Sequence, residues 1–153
     1  MIRKEMVFTG EKLTSRESVI GFIAHAAKGN GFVSDEQAFV NAVFERERQV
    51  ETSVGHFIAI PHGKCDAVKE PFVAYVRVRE AFEWDEETKD LVQSIFLIGV
   101  PQSDTGKTHL RYISQVSKKL INDEFREALF ACETAQEAFE KLDSINEGIR
   151  SEQ

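Results

Sequence analysis

The stretch Leu91 to Val100, closed by Pro101, is nearly all apolar. A run of that length reads as a strand, and a strand apolar on both sides needs cover on both faces of its sheet. The rest of the chain supplies the partners. Phe72 to Arg79 is rich in β-branched and aromatic residues and predicts a second strand. Phe57 to Ile60 is a short apolar run bounded by turn residues and stopped by Pro61, which cannot donate a ladder hydrogen bond. Met6-Val7-Phe8 is a short apolar patch that reads as a first strand or a lead-in.

Helical periodicity occupies the segments between and after these strands. Thr14 and Glu17 fit a capping box ahead of a helix whose inward stripe is Val19, Ile20, Phe22, Ile23, Ala26 and Ala27, ended by Gly29-Asn30-Gly31. Ser34 to Gln37 repeats the capping pattern, and a second helix runs to about Arg48 with Phe39, Val40, Val43 and Phe44 inward. A third helix starts at Lys107 with Leu110, Ile113, Val116 and Leu120 inward, a fourth spans Glu124 to Cys132, and a fifth is capped by Thr134 to Glu137. Thr52 to Gly55, Lys64 to Pro71, Glu80 to Lys89 and Gln102 to Gly106 read as irregular connections. The expected fold class is therefore α/β, a mixed β-sheet sandwiched between α-helices, in a single domain spanning residues 1–153 with its core at about 14–142.

Composition limits the function. A net charge of −7 argues against a nucleic-acid partner, since phosphate backbones need a basic face. No stretch approaches the roughly 20 apolar residues of a membrane span, and no signal-peptide core follows Met1-Ile2-Arg3-Lys4, so no direct membrane insertion is expected. Cys65 and Cys132 make neither a disulfide framework nor a metal spacing, which points to a reducing cytoplasm. A Gly-x-Ser-x-Gly elbow and a Gly-x-x-x-x-Gly-Lys loop are both absent, arguing against a serine hydrolase and against ATP binding.

The residues that could carry chemistry are histidines. His62 follows Pro61 and precedes Gly63, which puts an imidazole at a strand end beside bare backbone, where α/β folds usually keep their chemistry. A single histidine there is also compatible with a satisfied surface or core residue. His109 falls in the first turn of a helix, where free amides and the dipole favour an anion such as a phosphoryl group. His25 reads as packed or half-exposed in the first helix, and His56 as a solvent-facing loop residue. His56, His62 and His109, with Cys65 nearby, could instead form a zinc site, though the chain has no His-x-x-x-His or Cys-x-x-Cys spacing. The run Glu45-Arg46-Glu47-Arg48 taken alone is a solvated helix end with cations well placed at the C-terminus. An imidazole nucleophile that carries phosphorus mainly needs positioning and cationic or N–H donors around the equatorial oxygens, for which a second imidazole and one arginine would suffice.

Gly55-His56-Phe57-Ile58-Ala59-Ile60-Pro61-His62 resembles the active-site segment of the phosphotransferase system (PTS) enzyme IIA proteins of the fructose/mannitol class, type 2. Arg46-Glu47, sixteen residues before His62, matches that family's Arg-Glu pair; His109 in Lys-Thr-His-Leu matches its second active-site histidine; Trp84-Asp85 matches its Phe/Trp-Asp element. The segment Glu86 to Asp90 lacks the glycine often found there. The resemblance implies a cytoplasmic phosphocarrier without a cofactor or metal. His62 would accept a phosphoryl group from the carrier HPr and pass it to a cysteine of an enzyme IIB, and so to a sugar. His109 would hydrogen-bond the phosphate or orient His62, and Arg46 would neutralise its charge. Nitrogen-type homologues keep the same histidine but bind targets according to its phosphorylation state, and this regulatory role is the alternative.

Overall fold

The computed structural model describes residues 1–151. In chain order the strands are β1 (Ile2–Glu11), β2 (Ser53–Gly55), β3 (Ile58–Ala59), β4 (His62–Cys65), β5 (Phe72–Glu83) and β6 (Leu91–Pro101). The helices are α1 (Arg16–Gly29), α2 (Glu36–Gln49), α3 (Lys107–Leu120), α4 (Asp123–Phe130) and α5 (Ala135–Ser151). The strands form one sheet in the order β1-β5-β6-β3-β2, with β4 also paired to β6. It is mixed: β6 runs antiparallel to β5 and parallel to β3 and β4, while β1 is parallel to β5.

The apolar run that demanded cover on both sides is buried almost throughout. Alternate residues of β5 and β6 serve opposite cores, as a period of two requires. Phe72, Ala74, Val76, Ile95 and Leu97 pack with α1 and α2. Val73, Tyr75, Phe96, Ile98 and Val100 pack with α3, α4 and α5. The expected sandwich of a mixed sheet between helices is what the structure shows. Among the described residues no helix is long and apolar enough to cross a membrane.

Several local expectations shift. The α1 capping box belongs to Ser15, whose side chain accepts from the amide of Ser18 while the Ser18 hydroxyl accepts from the Ser15 amide, rather than to Thr14 and Glu17. β1 is a ten-residue strand, longer than Met6 to Phe8, and its register shifts twice against β5, which hides the alternation from a pattern search. Thr52 to Gly55 is not simply a loop, since Ser53–Gly55 pairs with β3. β5 runs on into the segment read as a connection, ending at Glu83. The third helix turns its Tyr112, Gln115, Val116 and Leu120 inward, leaving Leu110 62% exposed. The helix begins beside the site, beyond the part of its length that packs on the sheet.

The central segment is also refined. Phe57 is not part of the strand: it and His56 both adopt positive φ, at 63° and 55°, and form an exposed turn between β2 and β3. Pro61 interrupts pairing as expected, yet the chain rejoins the same neighbour at once. β3 pairs with Ser94 and Ile95, and β4 resumes with His62 opposite Ile98. His62 therefore opens a strand segment instead of capping one. The Pro61 carbonyl accepts from Ile98 N at 3.0 Å, the bond that the parallel register of β4 with β6 places there.

Candidate phosphoryl-transfer site

β4 carries the central imidazole, and the glycine after it sets how close α2 can come. A Cβ at Gly63 would lie 2.7 Å from Val43 Cγ2 and 3.2 Å from Phe39 Cε1, both on α2. Without a side chain there, α2 packs directly onto β4, and the end of α2 that bears Arg46 lies over His62. The other wall is the first turn of α3, which carries His109. Arg46, Gln49, His62, Lys64, Val100 and His109 line one open cleft of about 320 Å³. The rings of His62 and His109 are 5.0 Å apart between centroids.

His62 is half-buried, and its Nδ1 lies 3.2 Å from the carbonyl oxygen of Ile60. A carbonyl can only accept, so Nδ1 holds the proton and Nε2 keeps its lone pair. Burial pushes its pKa down to about 4; the Ile60 carbonyl opposes this, while the charges of Arg46 and His109 add to it. At neutral pH the imidazole is uncharged, as a nitrogen nucleophile must be. The pKa of His109 is also lowered, first by burial and then by Lys64 and Arg46, with Asp104 opposing.

Two expectations about this site change. The amides at the start of α3 are not left open for an incoming anion. Asp104 already occupies them, accepting from Gly106 N at 3.1 Å and Thr108 N at 3.3 Å, and these bonds lower its own pKa against the effect of burial. What His109 offers is thus its ring, not the helix end. The run Glu45 to Arg48 meets three fates. Arg48 pairs with Glu45 at the surface, as a solvated helix end would. Arg46 lines the cleft, its Nη1 donating to the Val50 carbonyl at 2.7 Å. Glu47 turns inward and is only 4% exposed.

Lys64 is a cation of the cleft that the motif reading passed over. The signal was available: two residues along a strand return to the same face, so Lys64 lies on the side of His62. The remaining histidines stand apart. His25 is exposed, 3.3 Å from Glu36, and not packed. His56 lines a different cleft with Ile58, Ile60 and Leu120. Among the described residues no group of three or more His, Cys, Asp and Glu is arranged to hold a metal ion, so the three-imidazole zinc arrangement does not form.

Residues 1–145 match the family described as phosphoenolpyruvate-dependent sugar phosphotransferase system, EIIA 2. The chain belongs to that family. The PTS system fructose-specific EIIA component of Haloferax volcanii is 34% identical over 94% of this chain and 92% of its own length. Other relatives are longer: the chain spans 22% of the 2-O-alpha-mannosyl-D-glycerate-specific EIIABC component of Escherichia coli, at 27% identity over 94% of this chain. Among solved structures, the nitrogen regulatory protein IIA-Ntr of Neisseria meningitidis superposes with a TM-score of 0.82 at 23% identity, over 92% of this chain and 95% of that one. The complex of enzyme IIAMTL with phosphorylated enzyme IIBMTL from Escherichia coli gives 0.78 at 24%, over 94% and 99%. Likenesses at these identities carry the fold. The family membership makes this EIIA a phosphotransferase component with a phosphocarrier role.

Proposed function

We propose that His62 is the phosphoryl carrier of this EIIA, that phospho-HPr charges it, and that a fructose- or mannitol-type enzyme IIB discharges it. The observation that carries this reading is the convergence of a neutral imidazole, a second imidazole and a guanidinium on one open cleft. In the accepting step, the Nε2 lone pair of His62 attacks phosphorus while the N–P bond to the donor histidine breaks and its electron pair returns to that ring. In the donating step a cysteine thiolate of IIB attacks the same phosphorus, and the His62 N–P bond breaks. Such transfers have loose, in-line transition states with charge spread over three equatorial oxygens, so the protein's part is positioning and cationic stabilisation. Arg46 supplies the fixed charge and His109 a ring N–H toward those oxygens.

Both steps need a second protein to reach the cleft, which is open. Val50 and Leu110, chain neighbours of the Arg46 turn and of His109, are 68% and 62% exposed. Apolar side chains so placed suit a transient docking face with a polar surround.

The test is incubation with enzyme I, HPr and phosphoenolpyruvate, then mapping of the label, then addition of candidate IIB proteins. The expected label is on His62 and is lost in His62→Ala with the fold intact. Label retained in that variant would move the carrier to another residue. Label on His62 that no IIB removes would leave a protein that responds to its own phosphorylation state by binding targets.

A further inference from the structure

Thr52 is buried and does not line the cleft. Its amide donates to Glu47 Oε2 at 3.2 Å and its hydroxyl donates to Glu47 Oε1. Its carbonyl accepts from the amide of Ile60 at 3.0 Å. The carbonyl of Ile60 is in turn the acceptor that fixes His62 Nδ1. Two residues before Thr52, the carbonyl of Val50 holds Arg46 Nη1. Residues 50–52 are thus joined to the guanidinium through one carbonyl and to the imidazole, by way of Ile60, through another.

What fixes this short segment is Glu47. Its carboxylate also accepts from Trp84 Nε1 at 3.1 Å and lies 3.6 Å from Arg16 Nη1, which is itself 3.3 Å from Asp85. Trp84 is 2% exposed. The last turn of a helix is ordinarily its loosest part, with carbonyls that lack intrahelical partners. Here that turn is tied to Trp84, just past the end of β5, by a buried hydrogen bond and to Arg16 of α1 by an ion pair. A buried bond holds geometry tightly because breaking it leaves an unsatisfied group.

We propose that Glu47 and Thr52 form a positioning clasp that sets the spacing and aim of Arg46 and His62 toward one phosphoryl group. Neither residue touches the transferred group; both are positioning residues. The proposal rests on His62 being the carrier. Phosphoryl transfer depends on alignment more than on covalent chemistry by the protein, so a clasp of this kind acts on rate.

The deciding pair of variants is Thr52→Val, which removes the hydroxyl donor at nearly constant shape, and Thr52→Ser, which keeps it. Charging by phospho-HPr is measured as kcat and KM separately, and the His62 ring is observed by ¹⁵N NMR. Thr52→Val is expected to lower kcat by about 10- to 100-fold, the scale of a sub-ångström to 1 Å misplacement, with KM little changed. Its ring spectrum is expected to show an Nε2–H tautomer that the parent lacks. Thr52→Ser is expected to behave as the parent in both respects, and Glu47→Gln to follow Thr52→Val. A merely structural pair would lower the melting temperature and leave kcat and tautomer unmoved below it. Parental kcat and tautomer in Thr52→Val, or equal losses in Thr52→Ser, overturn the clasp. If Glu47→Gln fails to fold, the Thr52 pair still decides. If the parent takes label on a residue other than His62, the carrier reading has failed and the ring spectra alone judge the clasp.

Discussion

The imidazoles of His62 and His109 face each other across the cleft with 5.0 Å between ring centroids and planes tilted by 46°. That is too tilted for a stack and close enough for a group on one ring to meet the other. Both rings have lowered pKa values, with burial the first cause for each. The Arg46 and Lys64 cations line the cleft beside the two rings, with Glu45 on the same cleft and the Asp104 charge acting on His109. An arriving phosphoryl group, carrying roughly −1.5 to −2, would be met by these two cations and nearly neutralised.

The pH dependence follows from His62. Its pKa lies at about 4 in the fold against an ordinary 6.5. Between those values the unfolded chain binds more protons at this position than the folded one, so stability falls as pH drops from 6.5 to 4, and the slope fades above 6.5 as the unfolded ring also loses its proton. The ring also stays nucleophilic down to about pH 5. An NMR titration of the His62 ring is expected to show its inflection near 4 in the unphosphorylated protein. An inflection at 6 or above would mean the ring is not desolvated as the structure has it.

Arg46→Ala and His109→Ala test the two groups that face the carrier. Each is expected to leave His62 able to take label, because neither supplies the attacking nitrogen. Each should slow transfer; loss of one preorganised donor at a developing charge typically costs about 10²- to 10³-fold in kcat. Since the Arg46 charge helps depress His62, Arg46→Ala should also raise the His62 pKa. A parental transfer rate and titration in Arg46→Ala would return that residue to a plain solvated helix end.

The layers of this fold were legible because they rest on two patterns: an apolar run that needs two covers, and a neighbouring segment rich in β-branched and aromatic residues. Arg46 and His109 were legible beside His62 through the resemblance to the EIIA family, since the charge run by itself reads as a solvated helix end, and the three side chains line one cleft. Other features were hidden for physical reasons. The α3 stripe rotates away from Leu110 because α3 begins over the site and packs only farther along, so its first apolar residue faces outward. The role of Asp104 at the α3 start required knowing that Gly106, at φ 94°, folds the loop back over the helix end. Glu47 read as one charge in a solvated run, since no local pattern reveals that Trp84 and Thr52 close over it.

Leu110 is the residue that best separates docking from chemistry. It is 62% exposed and adjoins His109, yet fills no core. Leu110→Asp is therefore expected to leave the melting temperature unchanged while weakening a partner complex by about 5- to 30-fold, the effect of losing 1–2 kcal/mol at an interface. The loss should appear in KM for the phosphoryl donor or acceptor, with kcat at saturation near the parent's. Unchanged KM for both partners would place the docking face elsewhere on the chain.

Gly63 sets the approach of α2 to β4, and that claim has its own double-variant test. A Cβ there would come within 2.7 Å of Val43 Cγ2 and 3.3 Å of the Val43 amide nitrogen. Val43 is fully buried and β-branched, so its side chain has little room to turn away. Gly63→Ala is expected to destabilise the protein by about 1–3 kcal/mol, the usual range for overpacking a core, which a denaturant midpoint at unchanged slope would register. It should also slow transfer, because α2 carries Arg46 outward as it yields. Val43→Ala leaves a cavity and is destabilising alone, but it removes the clashing methyl. The two changes together should therefore cost less than the sum of their separate effects, and should restore part of the rate. Strict additivity in stability would show that the glycine is not what lets α2 lie so close to the carrier histidine.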